Sequence, residues 1–136
     1  MIRQIEFSLK TRSRGFYLVT EEIRLHLPEL PKQGLVNLFL LHTSASLTIN
    51  ENADPTVLQD FEEYFNHIVP ENMSFIKHDF EGPDDMPAHI KSTLASTSLT
   101  IPITNGSLRL GTWQGIYLCE FRNRPHSRRL IATIYS

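Results

Sequence analysis

The chain has 136 residues and is expected to form one domain spanning 1–136, large enough to stand without disulfide or metal staples. Its 13 Lys and Arg against 15 Asp and Glu leave a net charge of −2, which excludes a nucleic-acid binder of the uniformly basic type. One cysteine (Cys119), no signal-peptide core after Met1, and no run near the roughly 20 apolar residues of a membrane span point to a cytoplasmic, non-membrane protein.

Ile5, Phe7 and Leu9 alternate with Glu6, Ser8 and Lys10, the period of a half-buried strand. After a turn at Thr11 to Gly15, Thr20 is placed to cap a short helix. Glu21 and Glu22 sit in its first turn, Ile23, Leu27 and Leu30 share one face, and Pro28 and Pro31 limit its length. Gly34 reopens the chain into a strand over Leu35 to His42. Val36, Leu38 and Leu40 share one side of it and Leu35, Phe39 and Leu41 the other, so both faces are expected to be covered, by helices or by another subunit.

Asp54-Pro55 starts a second helix, with Val57, Leu58, Phe61, Phe65 and Ile68 at helical spacing before Pro70 ends it. Residues 70 to 89 form a polar segment that is long for a loop, and loops of that length tend to carry function. A third helix begins near Asp85, with Pro87 in its first turn and Ile90 and Leu94 inward. Strands follow over Leu99 to Ile103, Leu108 to Leu110, Ile116 to Phe121 and Leu130 to Tyr135, with a turn at Asn105-Gly106. This last third reads as an antiparallel meander, and the whole chain as α+β.

Leu41 to Asn52 packs an imidazole, hydroxyls, a carboxylate and carboxamides directly after an apolar strand. Polar groups that dense beside a core need one another, a ligand or a metal. His42 at the strand end, His78 in the polar segment and His89 at a helix start are the candidate metal ligands. Three protein ligands with an open fourth position is the pattern of a catalytic zinc site. The competing reading is exposed or hydrogen-bonded imidazoles, and neither HExxH nor CxxC occurs. Glu51, Asp79, Glu81, Asp84 and Asp85 supply carboxylates to orient imidazoles or act as general base. His26, His67 and His126 carry no such company.

Arg122, Arg124, Arg128 and Arg129 form the densest positive charge, which next to a metal site implies an anionic substrate; for the first two a solvated hairpin end serves equally well. Thr43, Ser44 and Ser46 can donate to the same anion or bond backbone. Trp113, between Gly111 and Gly115, is either a packing anchor or a pocket wall. Gln114 and Glu120 interrupt apolar strand, so each needs a partner, and Cys119 reads as core.

His42-Thr43-Ser44-Ala45-Ser46-Leu47 with Asn50-Glu51-Asn52, then His78, Asp84-Asp85 and His89, then Gly111-Thr112-Trp113-Gln114 and Arg128-Arg129, resemble the YjbQ-like family, also called the secondary thiamine-phosphate synthase family. The resemblance implies a mostly antiparallel sheet curled into a half barrel or sandwich with about three helices on it. It also implies a homotrimer with clefts near subunit boundaries, and a divalent metal, zinc first, at His42, His78 and His89. Many members read Asp-Asn-Ala-His-Ala-His where this chain reads Asp84-Asp85-Met86-Pro87-Ala88-His89, so a ligand set that used both histidines does not carry over.

The function implied is a metal-assisted enzyme on a small phosphorylated metabolite, with thiamine-phosphate synthase as a secondary, transferase activity. Glu51 or Asp84 would handle a proton, and Arg128 and Arg129 would neutralise leaving pyrophosphate. Trp113 would stack on a ring, and Thr43, Ser44, Ser46, Asn50 and Gln114 would bind substrate. The alternatives are a metal-dependent phosphate or acyl hydrolase, or a non-enzymatic trimer that binds a metabolite or partner protein.

Overall fold

The computed structural model describes residues 1–136. The alternation from Ile5 to Leu9 falls on strand β1 (Ile2–Ser8), and a strand too short for any alternation, β2 (Gly15–Leu18), follows it. Helix α1 (Thr20–His26) begins one residue after its cap, Val19. The Thr20 hydroxyl caps nothing there and instead accepts from the Ile116 N–H at 2.8 Å, so Leu27 and Leu30 pack from beyond the helix end. Strands β3 (Gln33–Leu40) and β4 (Ala45–Glu51) lead to α2 (Pro55–Ile68) and α3 (Asp85–Leu94). The Asp54 carboxylate accepts from the Thr56 N–H at 2.9 Å with Pro55 in the first turn, the N-cap that the sequence spells out.

Strands β5 (Ser98–Thr104) and β6 (Ser107–Leu108) form a hairpin whose turn residues, Asn105 (φ 51°) and Gly106 (φ 78°), both lie in the left-handed region. The meander expectation fails after it. Strand β7 (Gln114–Glu120) leaves for a second sheet, ordered β2-β7-β4, while β8 (Arg129–Tyr135) returns to the first, ordered β1-β8-β3-β5-β6. Alternation identifies a strand but not its neighbour, and these neighbours come from the far end of the chain. Every pairing is antiparallel, an isolated bridge joins Leu47 to Ser96, and the strands curl into a half barrel with three helices, an α+β fold.

The inner faces of both sheets share one apolar core, including Val36, Leu38, Leu40, Leu47, Ile116 and Leu118. Each such side chain contributes on the order of 1.5–3 kcal/mol by leaving water. On the other face of the small sheet Phe16, Tyr117, Cys119 and Phe121 meet Phe61 and Phe65 of α2. With both faces covered, β7 is buried from Gly115 to Glu120. Strand β3 is covered on one face only: Leu35 and Phe39 stay 44% and 45% exposed, so the expected two-sided cover is absent within one chain. No helix is long and apolar enough to cross a membrane.

Candidate functional site

Asp85 and His89 lie four residues apart in α3, which places them on one helical face. The segment before α3 brings His78 to the same spot. His78 Nε2 lies 2.8 Å and His89 Nε2 3.3 Å from Asp85 Oδ2, and one ligand atom from each of the three residues lies within 4.8 Å of the others. Asp85 is buried, while His78 and His89 reach solvent.

Second contacts fix the orientation of His89 and Asp85. His89 Nδ1–H donates to the Thr43 carbonyl at 2.9 Å, and that oxygen also accepts from the Ser92 hydroxyl at 2.7 Å. Imidazole with a proton on Nδ1 presents a lone pair at Nε2. His89 therefore faces a carboxylate oxygen lone pair to lone pair unless positive charge intervenes, as a second ring proton or as a cation. Two imidazoles and a carboxylate, one imidazole oriented by a backbone carbonyl, make a donor set that fits a divalent cation of the zinc class.

Asp85 Oδ1 accepts from Arg122 Nη1–H at 2.9 Å, and Arg122 Nε–H donates to Asp84 Oδ2 at 2.9 Å. Burial works to raise the Asp84 pKa, but the Asn123 N–H and the Arg122 guanidinium outweigh it and hold the carboxyl below its ordinary value. The same guanidinium donates to the Glu81 carbonyl at 3.1 Å, so the end of strand β7 pins the segment that carries His78.

Arg128 is buried against the equally buried Glu120, with bonds of 2.6 Å from Nε and from Nη2, and Nη2 also donates to Ser44 Oγ at 2.9 Å. The partner that Glu120 needs is therefore Arg128, and Arg128 holds the Ser44 turn from inside. Arg129 remains exposed and pairs with Glu6 at 3.1 Å. His42 lies outside the metal-type group: its Nε2 accepts the Arg129 backbone N–H at 2.8 Å. Burial, then the charges of Arg128 and Arg129, lower its pKa below the usual imidazole value.

The remaining candidates divide by position. Thr43 is exposed beside the cluster, and buried Ser46 donates to the Ser92 carbonyl at 3.2 Å. Asn50, Glu51, Trp113 and Gln114 lie at the other end of β4, roughly 20 Å along the strand. There Asn50 Oδ1 accepts from the Glu51 N–H at 2.8 Å, Glu51 Oε2 from the Asp54 N–H at 3.3 Å, and Gln114 Oε1 from the Gly111 N–H at 2.7 Å. Trp113 is 64% exposed and so is no packing anchor within one chain.

Sequence reasoning misses the weight of two residues. Asp85 reads there as one of the outer carboxylates, although its spacing of four from His89 is a usable helical signal. Arg122 gives no local sign, since its partners lie 37 and 38 positions away. Beside His78 a cleft of about 360 Å³ is lined by Glu71, Asn72, Ser74, Asp79 and Met86, among others.

Known proteins resemble the chain along nearly its whole length. The profile of the family described as UPF0047 protein YjbQ-like matches residues 4–136. The UPF0047 protein YjbQ of Escherichia coli O157:H7 is 52% identical over 133 residues, 96% of each chain. The UPF0047 protein YugU of Bacillus subtilis is 39% identical over 122 residues, covering 88% of this chain and 89% of that one. Among solved structures, a conserved hypothetical protein from Thermus thermophilus superposes with a TM-score of 0.82 at 34% identity, covering 94% of this chain and 97% of its own.

Proposed function

The chain belongs to the UPF0047 YjbQ-like family, and from that premise we propose that it is a metal-assisted enzyme acting on a small phosphorylated metabolite at the His78, Asp85 and His89 cluster. The observation that carries this reading is the convergence of two imidazole nitrogens and a carboxylate oxygen within 4.8 Å, a donor set with room for further ligands. A zinc-class cation held there supplies Lewis acidity toward a phosphoryl or carbonyl oxygen. Thr43 fixes the His89 ring through its carbonyl, and Arg122 holds Asp85. Asp84, engaged by Arg122 and Asn123, positions the segment around His78 and moves no proton. Arg128 is tied to Glu120, so of the two adjacent arginines only Arg129, exposed and paired at the surface with Glu6, can turn to a phosphate.

Zinc titration of chelator-treated protein by calorimetry tests the site. Wild type should take up about one zinc per chain and His89→Ala should lose that uptake while staying folded; wild type without uptake removes the reading. A panel of phosphorylated substrates then separates chemistries. Transfer of a pyrimidine onto a thiazole phosphate with loss of pyrophosphate identifies the thiamine-phosphate synthase activity, and release of phosphate identifies a hydrolase. Thermal stabilisation without turnover identifies a binding protein.

Self-association belongs to the same proposal. Ile2, Leu35, Phe39 and Tyr135 are 65%, 44%, 45% and 43% exposed on the outer face of the five-stranded sheet, where Tyr135 pairs with both Ile2 and Leu35. These exposed apolar side chains, interrupted by the polar row of Gln4, Thr133, Asn37 and Thr100, suit a mixed interface with another copy of the chain, and the family resemblance makes a homotrimer the state to look for by sedimentation.

A further inference from the structure

His42 sits where the resemblance implies a third metal ligand, yet its bonding argues otherwise. Nε2 accepts the Arg129 backbone N–H at 2.8 Å, so it carries no proton and its lone pair is engaged. In the neutral ring the proton is then on Nδ1, which leaves no lone pair there. Ligation through Nε2 would displace the Arg129 N–H, and ligation through Nδ1 would move the proton to Nε2 with the same result. The ring is also held in place: the Arg129 carbonyl accepts from the Leu41 N–H at 3.0 Å, so the backbone brackets His42 on both sides.

Nδ1 has no partner in the protein, and no buried side-chain nitrogen lacks one, so this N–H reaches solvent. Beside it Thr43 is exposed with its hydroxyl unengaged, while its carbonyl touches His89. An N–H donor next to a free hydroxyl is suited to an oxygen acceptor and not to a cation, and the Arg128 and Arg129 charges near the ring, opposed in part by Glu120, act in the same direction.

We infer that His42 is a hydrogen-bond donor to a ligand oxyanion, through Nδ1–H, and not a ligand to the metal. This rests on the reading of His78, Asp85 and His89 as the metal site only for where the oxyanion sits; the state of the His42 ring can be tested without metal.

Nitrogen-15 NMR of the ring in zinc-free protein should show Nδ1 protonated and Nε2 unprotonated, with the same pattern after zinc is added. A proton on Nε2, or a zinc-induced change at either nitrogen typical of ligation, overturns the inference. In parallel, His42→Gln, whose side chain can both accept and donate, should keep zinc affinity within about threefold of wild type, against a loss of about 100-fold or more for His89→Ala. Inorganic phosphate is the probe for the oxyanion. Its affinity for zinc-loaded protein should fall about tenfold in His42→Leu and recover in His42→Gln. Loss of zinc in His42→Gln comparable to that in His89→Ala, or phosphate affinity unmoved by His42→Leu, overturns it equally. Wild type that takes up no zinc would sink the metal reading while the zinc-free spectrum still judged His42.

Discussion

At the Ala45 end of β4 the polar side chains are charged, buried and bonded to one another; at the Glu51 end they are exposed and bonded to backbone. Arg128, Glu120, Asp84 and Asp85 are each less than a tenth exposed. Asn52 Nδ2, by contrast, donates to the Thr112 and Gln114 carbonyls at 3.2 and 3.1 Å from an exposed position. Both ends are equally polar in sequence. Carboxamides can satisfy backbone groups cheaply at a surface, whereas buried charges are hard to keep unless a network of partners holds them. The difference sets a buried charge network at one end and the bracing of a turn at the other.

The comparison can be broken most forcefully at the buried pair. Arg128→Met should destabilise the fold by about 3–5 kcal/mol in chemical denaturation, because buried Glu120 would lose its guanidinium and keep only the Arg122 N–H as partner. Removing both charges together, with Glu120→Leu added, should restore much of that loss. A single variant as stable as wild type would deny that the Ala45 end depends on its charges.

A smaller effect is expected at the braced turn. A Cβ on Gly115 would come within 2.7 Å of Leu18 Cδ2 and 2.9 Å of Asn52 Cβ. Gly115→Ala should therefore cost about 1–3 kcal/mol by overpacking and leave zinc uptake unchanged; altered zinc affinity would couple the two ends.

Acid sharpens the contrast further. The folded pKa of His42 is depressed from 6.5, so the folded state binds fewer protons than the unfolded one just below that value. The stability this contributes is fully present above about pH 6.5 and is lost as pH falls toward the folded pKa. The stability of His42→Gln should accordingly fall less steeply than that of wild type between about pH 7 and pH 5. Parallel curves would remove His42 from the account. The smallest effect is expected for Trp113→Ala, within about 0.5 kcal/mol for a side chain this exposed. A larger loss would put the indole against another copy of the chain.

Local signals in the sequence are reliable where the physics is local. Asp54-Pro55 marks the start of α2, Asn105-Gly106 the hairpin turn, and Val36, Leu38 and Leu40 the buried side of β3. Strand β2 escapes because four residues are too few for a period, and Thr20 misleads because its hydroxyl serves a strand 96 positions away. The site divides in the same way. His78 and His89 are legible as ligand types, but Asp85 as their companion and Arg122 as its holder depend on contacts that composition cannot reveal. Arg128 reads as a grip for phosphate because sequence cannot show that Glu120 folds against it. Membership in the YjbQ-like family is visible in the order of the motifs, and it extends over nearly the whole chain.

Strand β8 fills the gap between β1 and β3; Arg128, just before it, is the partner of Ser44 and Glu120, and Arg129, its first residue, is the partner of His42. During synthesis those groups must wait for β8 to leave the ribosome, with the large sheet open down its middle until then. Such distant contacts favour slow acquisition of the native state. The nascent protein would gain its ligand-binding competence and its closed core in the same late event.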